Sequence, residues 1–344
     1  MINLRYHIVS ITAVFLALAI GIAMGTTVIN KATVSTLKSR LDGLATRIDD
    51  TDAKNDQLQH DLDRLESTLG KLGEQGSAQL LGGHLEGVPV MLVVTRGVDD
   101  DSLEGTRQAL VDAGAAYGGT LWLTDRLVLD DSNEIEDLAT VLGLTSSDAD
   151  RLRRSLASRL ANALLSASLD GEAAPDTTTP SDGEPTSPPE TVVGEEPAIL
   201  RDLRGAGFVD FDSAPDAPDN RVVLAPGVRF VAVSGPGAGV PDDSLLLPML
   251  VDMAAAGPAP VVAAQAGVDV DGQTADETRT VFVGPIRADD ALKERISTVD
   301  DLESFAGWAG VVLALQDLAS GQFGHYGVGD GADRLLPAPL GDGG

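Results

Sequence analysis

The sequence predicts an N-terminal transmembrane helix and coiled coil followed by an α/β three-layer domain with a mainly parallel sheet. Three observations carry that reading. Ile8 to Ile29 is apolar and free of charged side chains, and a seven-residue repeat runs from Val34 to Leu72. Beyond Gly87, short continuous apolar runs alternate with amphipathic stretches of helical period, the pattern of strands buried on both faces with helices between them.

At 1.5 Å per residue the first run is about 33 Å long, enough to cross a hydrocarbon core. It lacks the polar stripe of a helix packed on a soluble domain. Ala17, Gly21 and Gly25 stand at spacing four, a row that allows close helix approach and that an Ala/Gly-rich helix also produces by chance. Arg5, the apolar run and Ala23-Met24-Gly25 also fit a cleavable signal. The run continues to Ile29 and the repeat follows directly, which favours an uncleaved signal-anchor with the body extracytoplasmic. Lys31, Lys38 and Arg40 on the far side leave the positive-inside count undecided.

In the repeat, Val34, Leu41, Ile48, Asn55, Leu62 and Leu69 take position a, and Leu37, Leu44, Thr51, Leu58, Leu65 and Leu72 take position d. A strict period of seven specifies a left-handed supercoil, and a single Asn at a sets register and favours two strands. The expected partner is a second copy in parallel, with Asn55 meeting Asn55. A helix packed on its own domain would show a wider apolar face.

Net charge is −29 and unevenly placed. Residues 1–72 hold eight basic and eight acidic side chains, which leaves 16 basic and 45 acidic beyond them. Such a body repels nucleic acid and anionic lipid. The chain has no cysteine, which excludes disulfides, thiolate metal sites and Cys nucleophiles.

Along the body, Val88–Val94 predicts a strand, then a helix from Asp99–Asp101 to about Ala116 and a strand at Thr120–Thr124. Helices follow at Ser132–Leu142 and Asp148–Leu169. Gly171–Pro197 is rich in Pro, Thr, Ser, Asp and Glu, too poor in apolar residues to build a core, and predicts a disordered acidic insertion. Ala198–Gly205 predicts a short helix. Strands are expected at Val228–Val233, Val261–Ala264 and Thr280–Val283, with helices at Ser244–Ala256 and Thr298–Ser320, the last opened by a capping box at Thr298-Val299-Asp300-Asp301. The resulting divisions are 1–30 anchor, 31–76 coiled coil, 77–170 and 198–320 the two parts of the α/β domain, 171–197 the insertion and 321–344 a Gly-rich tail.

Candidate chemistry is sparse. Ser234-Gly235-Pro236-Gly237-Ala238-Gly239 follows a strand and precedes a helix, as a dinucleotide-binding turn does. The spacing differs from that fingerprint, Pro236 removes a donor, and Asp242 and Asp243 would repel a phosphate, so a plain turn is the better reading. Met249 and Met253 share a helical face; that spacing suits a soft ion such as Cu(I), and core packing explains it better. His84 and His325 are the body histidines and the remaining metal candidates, while His7 and His60 are expected in solvent. No G-x-S-x-G elbow accompanies either body histidine, and no catalytic residue or bound cofactor is expected. The tail Gly321–Gly331 sets Phe323, His325 and Tyr326 among five glycines in a chain with 3% aromatic residues. It reads as a loop pinned by its aromatics, or as a contact surface or weak metal site.

The opening Met1-Ile2-Asn3-Leu4-Arg5-Tyr6-His7, the run Ala13–Ala19, Gly21–Gly25 and the ending Gly331-Ala332-Asp333-Arg334-Leu335-Leu336-Pro337 resemble the actinobacterial copper transport protein family of the mycobacterial MctB type, over the full length. The resemblance implies an envelope protein in copper efflux and homeostasis, described as an envelope or outer-membrane channel, and an association with envelope assembly at cell separation. Copper would be its transported or weakly bound ion, and no ligand motif is carried over. A barrel channel needs alternating strands with a lipid-facing band, which the continuous apolar runs do not supply. A non-enzymatic scaffold that binds an envelope partner is the alternative, and an enzyme on the α/β body the least supported reading.

Overall fold

The computed structural model describes residues 4–169, 196–214, 221–266 and 281–337. The expected insertion at 171–197 falls almost wholly outside them. The chain divides into two compact units, Met1–Leu69 and Gly70–Gly344.

Helix α1 spans Leu4–Leu81. In the first unit, its stretch Tyr6–Gly25 is long and apolar enough to cross a membrane, and none of it is buried. Val14, Phe15, Leu16, Ile20 and Ile22 are each more than half exposed. In water such a continuous apolar surface is strongly unfavourable, at about 25 cal/mol per Å² of apolar area. Farther along, Leu41, Leu44, Ile48 and Leu58 also stand more than half exposed, and Asn55 is exposed too. The Thr51 hydroxyl donates to Arg47 O at 2.7 Å, so it is satisfied within its own helix.

The helix runs on through Gly70, Gly73 and Gly76 to Leu81, beyond the expected end of the rod at residue 76. Each glycine costs about 1 kcal/mol in a helix, and tertiary packing outweighs that cost. Ser77 and Leu81 are buried, and the Ser77 hydroxyl donates to the Asp112 carboxylate.

The second unit is one seven-stranded sheet in the order β3-β2-β1-β4-β5-β6-β7. Its strands are β1 Pro89–Thr95, β2 Ala116–Leu123, β3 Val209–Ser213, β4 Arg229–Ser234, β5 Val261–Gln265, β6 Ser297–Val299 and β7 His325–Tyr326. All neighbours pair in parallel except β2 and β3. The helices are α2 Asp100–Asp112, α3 Ser132–Leu142, α4 Ala149–Leu169, α5 Ala198–Gly205, α6 Leu246–Ala255, α7 Val283–Ala288 and α8 Phe305–Leu318. Segments on both sides of residues 170–195 enter the same sheet.

Two cores sit on the two faces. Met91 and Val93 of β1 pack with α3, α4, α5, α6 and α7 through side chains such as Leu138, Leu156, Leu200, Leu250 and Ile286. Val90, Leu92 and Val94 pack on the other side with Leu103 and Leu110 of α2, Val311 and Leu315 of α8, and Leu81. The alternation of β1 between two covered faces is why its sequence is apolar throughout.

Two expected elements are different in the structure. Thr280–Val283 was expected as a strand, but Val283 opens α7. The Gln265 side chain at the end of β5 accepts from the amides of Phe282 at 2.9 Å and Val283 at 3.3 Å, and this anchors the turn into the helix. The helix expected from Thr298 begins at Phe305 instead, capped by Ser304, whose hydroxyl accepts from Gly307 N at 3.2 Å. Thr298 and Val299 belong to β6, where pairing with β5 and β7 and full burial outweigh the capping pattern. The edge strands β3 and β7 were not expected. β3 alternates buried Val209 and Phe211 with exposed Asp210 and Asp212, and β7 is two residues long.

A buried ion pair holds the β7 edge. Arg287 of α7 reaches Asp300 Oδ2 at 2.7 Å, and Asp300 is fully buried. The same guanidinium donates to Thr298 Oγ1 at 2.9 Å, Tyr326 O at 2.9 Å and Asp330 O at 3.1 Å. Asp300 in turn accepts from Val328 N at 2.7 Å and from Gly329 N. Gly327 has φ +125°, and a Cβ there would lie 2.0 Å from the Asp300 carboxylate. The glycines of the tail therefore let backbone wrap this carboxylate. Removing one partner of a buried, hydrogen-bonded pair costs about 3–5 kcal/mol. Asp300→Ala and Arg287→Met should each lower unfolding free energy by about that much, and the double variant by less than the sum of the two. Denaturant titration of the three variants checks this.

Candidate functional site

In an open parallel sheet, ligands bind beyond the carboxyl ends of the strands where strand order reverses. Here that point lies between β1 and β4, beneath the turns Arg96–Val98 and Gly235–Gly239. The two turns meet backbone on backbone. A Cβ at Gly97 would lie 2.1 Å from Gly237 O, and one at Gly237 would lie 2.3 Å from Gly97 O. Gly239 N donates to Arg96 O at 2.7 Å. The glycines that superficially suggest phosphate binding instead let the two loops touch, and the crevice between them is closed. Arg96 turns outward, stacking on Trp122 at 4.1 Å and pairing with Asp210 at 3.0 Å.

Asp242 sits just past this turn, and the Ser234 hydroxyl at the end of β4 donates to its carboxylate. Burial pushes the Asp242 carboxyl up to about 6; the Ser234 hydrogen bond opposes the rise and the negative charge of Asp243 adds to it. The group was noted in the sequence only as a phosphate-repelling charge.

The metal candidates occupy separate settings. Met249 and Met253 lie on α6 with 1% and 0% exposure, inside the core beneath the sheet. His84 is half-buried after α1, with Nδ1 2.9 Å from Gln316 Oε1 of α8. His325 is buried on β7, with Nδ1 2.9 Å from Thr298 Oγ1. Burial lowers its pKa foremost, with the Asp333 carboxylate acting in the opposite direction and Arg287 reinforcing the fall. The imidazole also bonds the backbone of Lys293. Arg287 Nε–H donates to Thr298 Oγ1, which lies within hydrogen-bond distance of His325 Nδ1. His325 is thus joined to the ion-pair lock through Thr298. Among the described residues, no three His, Asp or Glu groups gather closely enough to hold a metal ion. His7 and His60 are exposed on α1.

A concavity of about 760 Å³ lies beside α2 and is lined by Asp99, Asp101, Glu104, Glu303 and Trp308. A second, about 550 Å³, lies on the other side of that helix and brings in Tyr117, Trp122 and Asp212. Both are acidic. A carboxylate-free concavity of about 330 Å³ surrounds Arg229 at the opposite, N-terminal end of β4. Sequence reasoning missed Arg229 and Arg287 and read Asp300 only as part of a capping box, since a single charge carries no local signal of the partner it meets across the fold.

These features define a class: a chain with one N-terminal helix of membrane length and an α/β body built on a mostly parallel sheet. The family described as "Copper transport outer membrane protein, MctB" matches residues 1–337. Relatives called "Copper transporter MctB" in Mycobacterium tuberculosis and Mycobacterium bovis are 30% identical over 336 residues, covering 96% of this chain and 98% of theirs. One of the same name in Mycobacterium leprae is 29% identical over 339 residues, 97% and 99% of the two chains. The chain belongs to the MctB family.

The Asp242 carboxyl generates a pH dependence of defined sign. A folded value near 6 against an unfolded one near 3.8 means that the native state binds the proton more tightly. Its favourable contribution is complete below the unfolded value and is lost as pH rises through about 6. Asp242→Asn keeps an acceptor for Ser234 without the charge. The variant should gain on the order of 2–3 kcal/mol over the parent at about pH 7.5, and the gain should vanish toward about pH 3.5. Parallel denaturant titrations of parent and variant across that range check it.

Proposed function

We propose that this chain is a non-enzymatic envelope protein of copper homeostasis, anchored in a membrane through Tyr6–Gly25 with its body extracytoplasmic. The single observation that carries the reading is the end-to-end match to a family and to relatives named for copper transport. The uncovered apolar helix supports the anchor. Copper is the cargo in this reading. No binding set on the body is assigned to it, because Met249, Met253 and His325 are engaged in packing and in the ion-pair lock.

The scaffold reading refines this proposal. Leu41, Leu44, Ile48 and Leu58 are exposed on α1, at the a and d positions of the repeat, together with Asn55. Val34, Leu37, Leu62, Leu65 and Leu69 continue the pattern in sequence. A second copy in parallel covers such a row, and the body then presents itself to an envelope partner as a pair.

In a host lacking the protein, copper added to the medium should inhibit growth more strongly. The full chain should restore tolerance, and a form with residues 6–25 replaced by a cleavable leader should not. Unchanged copper tolerance in the deletion strain, with defective cell separation, would favour the scaffold role over copper export. For the rod, sedimentation of residues 31–76 should show a dimer. Asn55→Leu should raise its thermal stability and broaden its oligomer distribution, since the amide fixes register by roughly 1–3 kcal/mol against mispaired alternatives. A monomer at high micromolar concentration would count against the coiled coil.

A further inference from the structure

Arg229 opens β4 and pairs in register with Val90 of β1. Its Nη1 donates to Leu315 O in the last turn of α8 at 2.6 Å. That is a favourable place for a cation, and it engages one of five N–H groups. Arg96, Arg107, Arg126, Arg153, Arg204, Arg287 and Lys293 each lie within 4 Å of a carboxylate. Arg229 has no carboxylate at that distance among the described residues. Burial, uncompensated by any neighbouring charge, lowers its pKa.

Four segments build the concavity around it. The end of α4 supplies Ser168, and the turn before β4 is tied there by Gly227 N donating to Ala167 O at 3.3 Å. The lead into β5 supplies Pro258 and Pro260, and α8 with the loop after it supplies Leu318 and Phe323. The walls thus combine apolar side chains with one guanidinium, one hydroxyl and exposed backbone polar groups, and hold no acidic side chain. In a protein of net charge −29, this cavity offers a planar guanidinium fork with N–H groups to spare and no carboxylate in its lining. Its volume is at the lower end of small-molecule sites, about 300 Å³.

We infer that the cavity at Arg229 is a binding site for a small monocarboxylate with a short apolar tail. The carboxylate takes the free edge of the guanidinium, the Ser168 hydroxyl is within the same cavity to donate, and the tail lies against Pro258, Pro260, Leu318 and Phe323. Phosphate shares the charge but wastes the apolar walls, so it binds less tightly. The site stands independently of the copper reading.

The test uses the full chain in detergent micelles at constant ionic strength. Butyrate, acetate and inorganic phosphate are titrated against it by saturation-transfer NMR, with chloride as the screening control. Butyrate should bind saturably and more tightly than acetate or phosphate. Arg229→Gln keeps a donor for Leu315 O and should weaken butyrate at least about tenfold, as expected for loss of a charge-assisted hydrogen bond. Ser168→Phe fills the cavity without touching the guanidinium and should weaken it likewise. Arg295→Gln removes an exposed arginine that donates to Ala254 O at 2.8 Å and should leave binding unchanged. Absence of saturable butyrate binding overturns the proposal, as does equal displacement by chloride. If Arg229→Gln does not fold, Ser168→Phe decides: butyrate binding at the parental affinity in that variant also overturns it.

Discussion

Strand β1 has no polar face to give to water. Val90, Leu92 and Val94 point to one side and Met91 and Val93 to the other, and all five are buried. A strand of this kind needs backbone partners along both edges and apolar cover on both faces. β2 and β4 supply the first requirement. The helix layers supply the second, with α2, α8 and the end of α1 on one face and α3 to α7 on the other. The extension of α1 through three glycines follows from the same demand, because Leu81 and Leu85 complete the cover over β1.

The sheet then has two edges to protect, and it treats them differently. At β3 the outward residues are Asp210 and Asp212, which pair with Arg96 and Trp122 and place charge on the exposed edge. Such charges discourage pairing with another chain. At β7 the strand is very short and the tail folds over it, fixed by Arg287 and Asp300. Removing two charges from water is costly, and the pair persists because every neighbour contributes a donor or an acceptor: Thr298, Tyr326, Val328, Gly329 and Asp330. His325 is drawn into that network through Thr298.

The closed switch point bears on function. Parallel α/β sheets commonly carry chemistry where strand order reverses, and here that position is filled by Gly97 against Gly237. The open concavities lie elsewhere: two acidic ones beside α2 and the carboxylate-free one at Arg229.

Much of the fold was legible in the residues themselves. The apolar helix, the parallel α/β class and the bounds of α3 and α5 follow from local pattern, because hydrophobic period, caps and charge act over one or two turns. The strands β1, β4 and β5 were placed within a residue by their continuous apolar runs. Thr298-Val299 carried a helix-start signal and became β6, and Phe282-Val283 carried a strand signal and became the start of α7, because distant partners decided both: β5 and β7 in one case, the Gln265 side chain in the other. The candidate ligands were legible as residue types but not as a site. Whether Met249, Met253, His84 and His325 converge depends on contacts far apart in the chain, and the tertiary structure sends the two methionines into the core, His84 to Gln316 and His325 to Thr298. The sequence by itself determined the membrane-length helix, the acidic body and the α/β class. The closed crevice, the ion-pair lock and the setting of Arg229 against Leu315 were decided only by the fold, since each is a meeting of groups that no local spacing encodes.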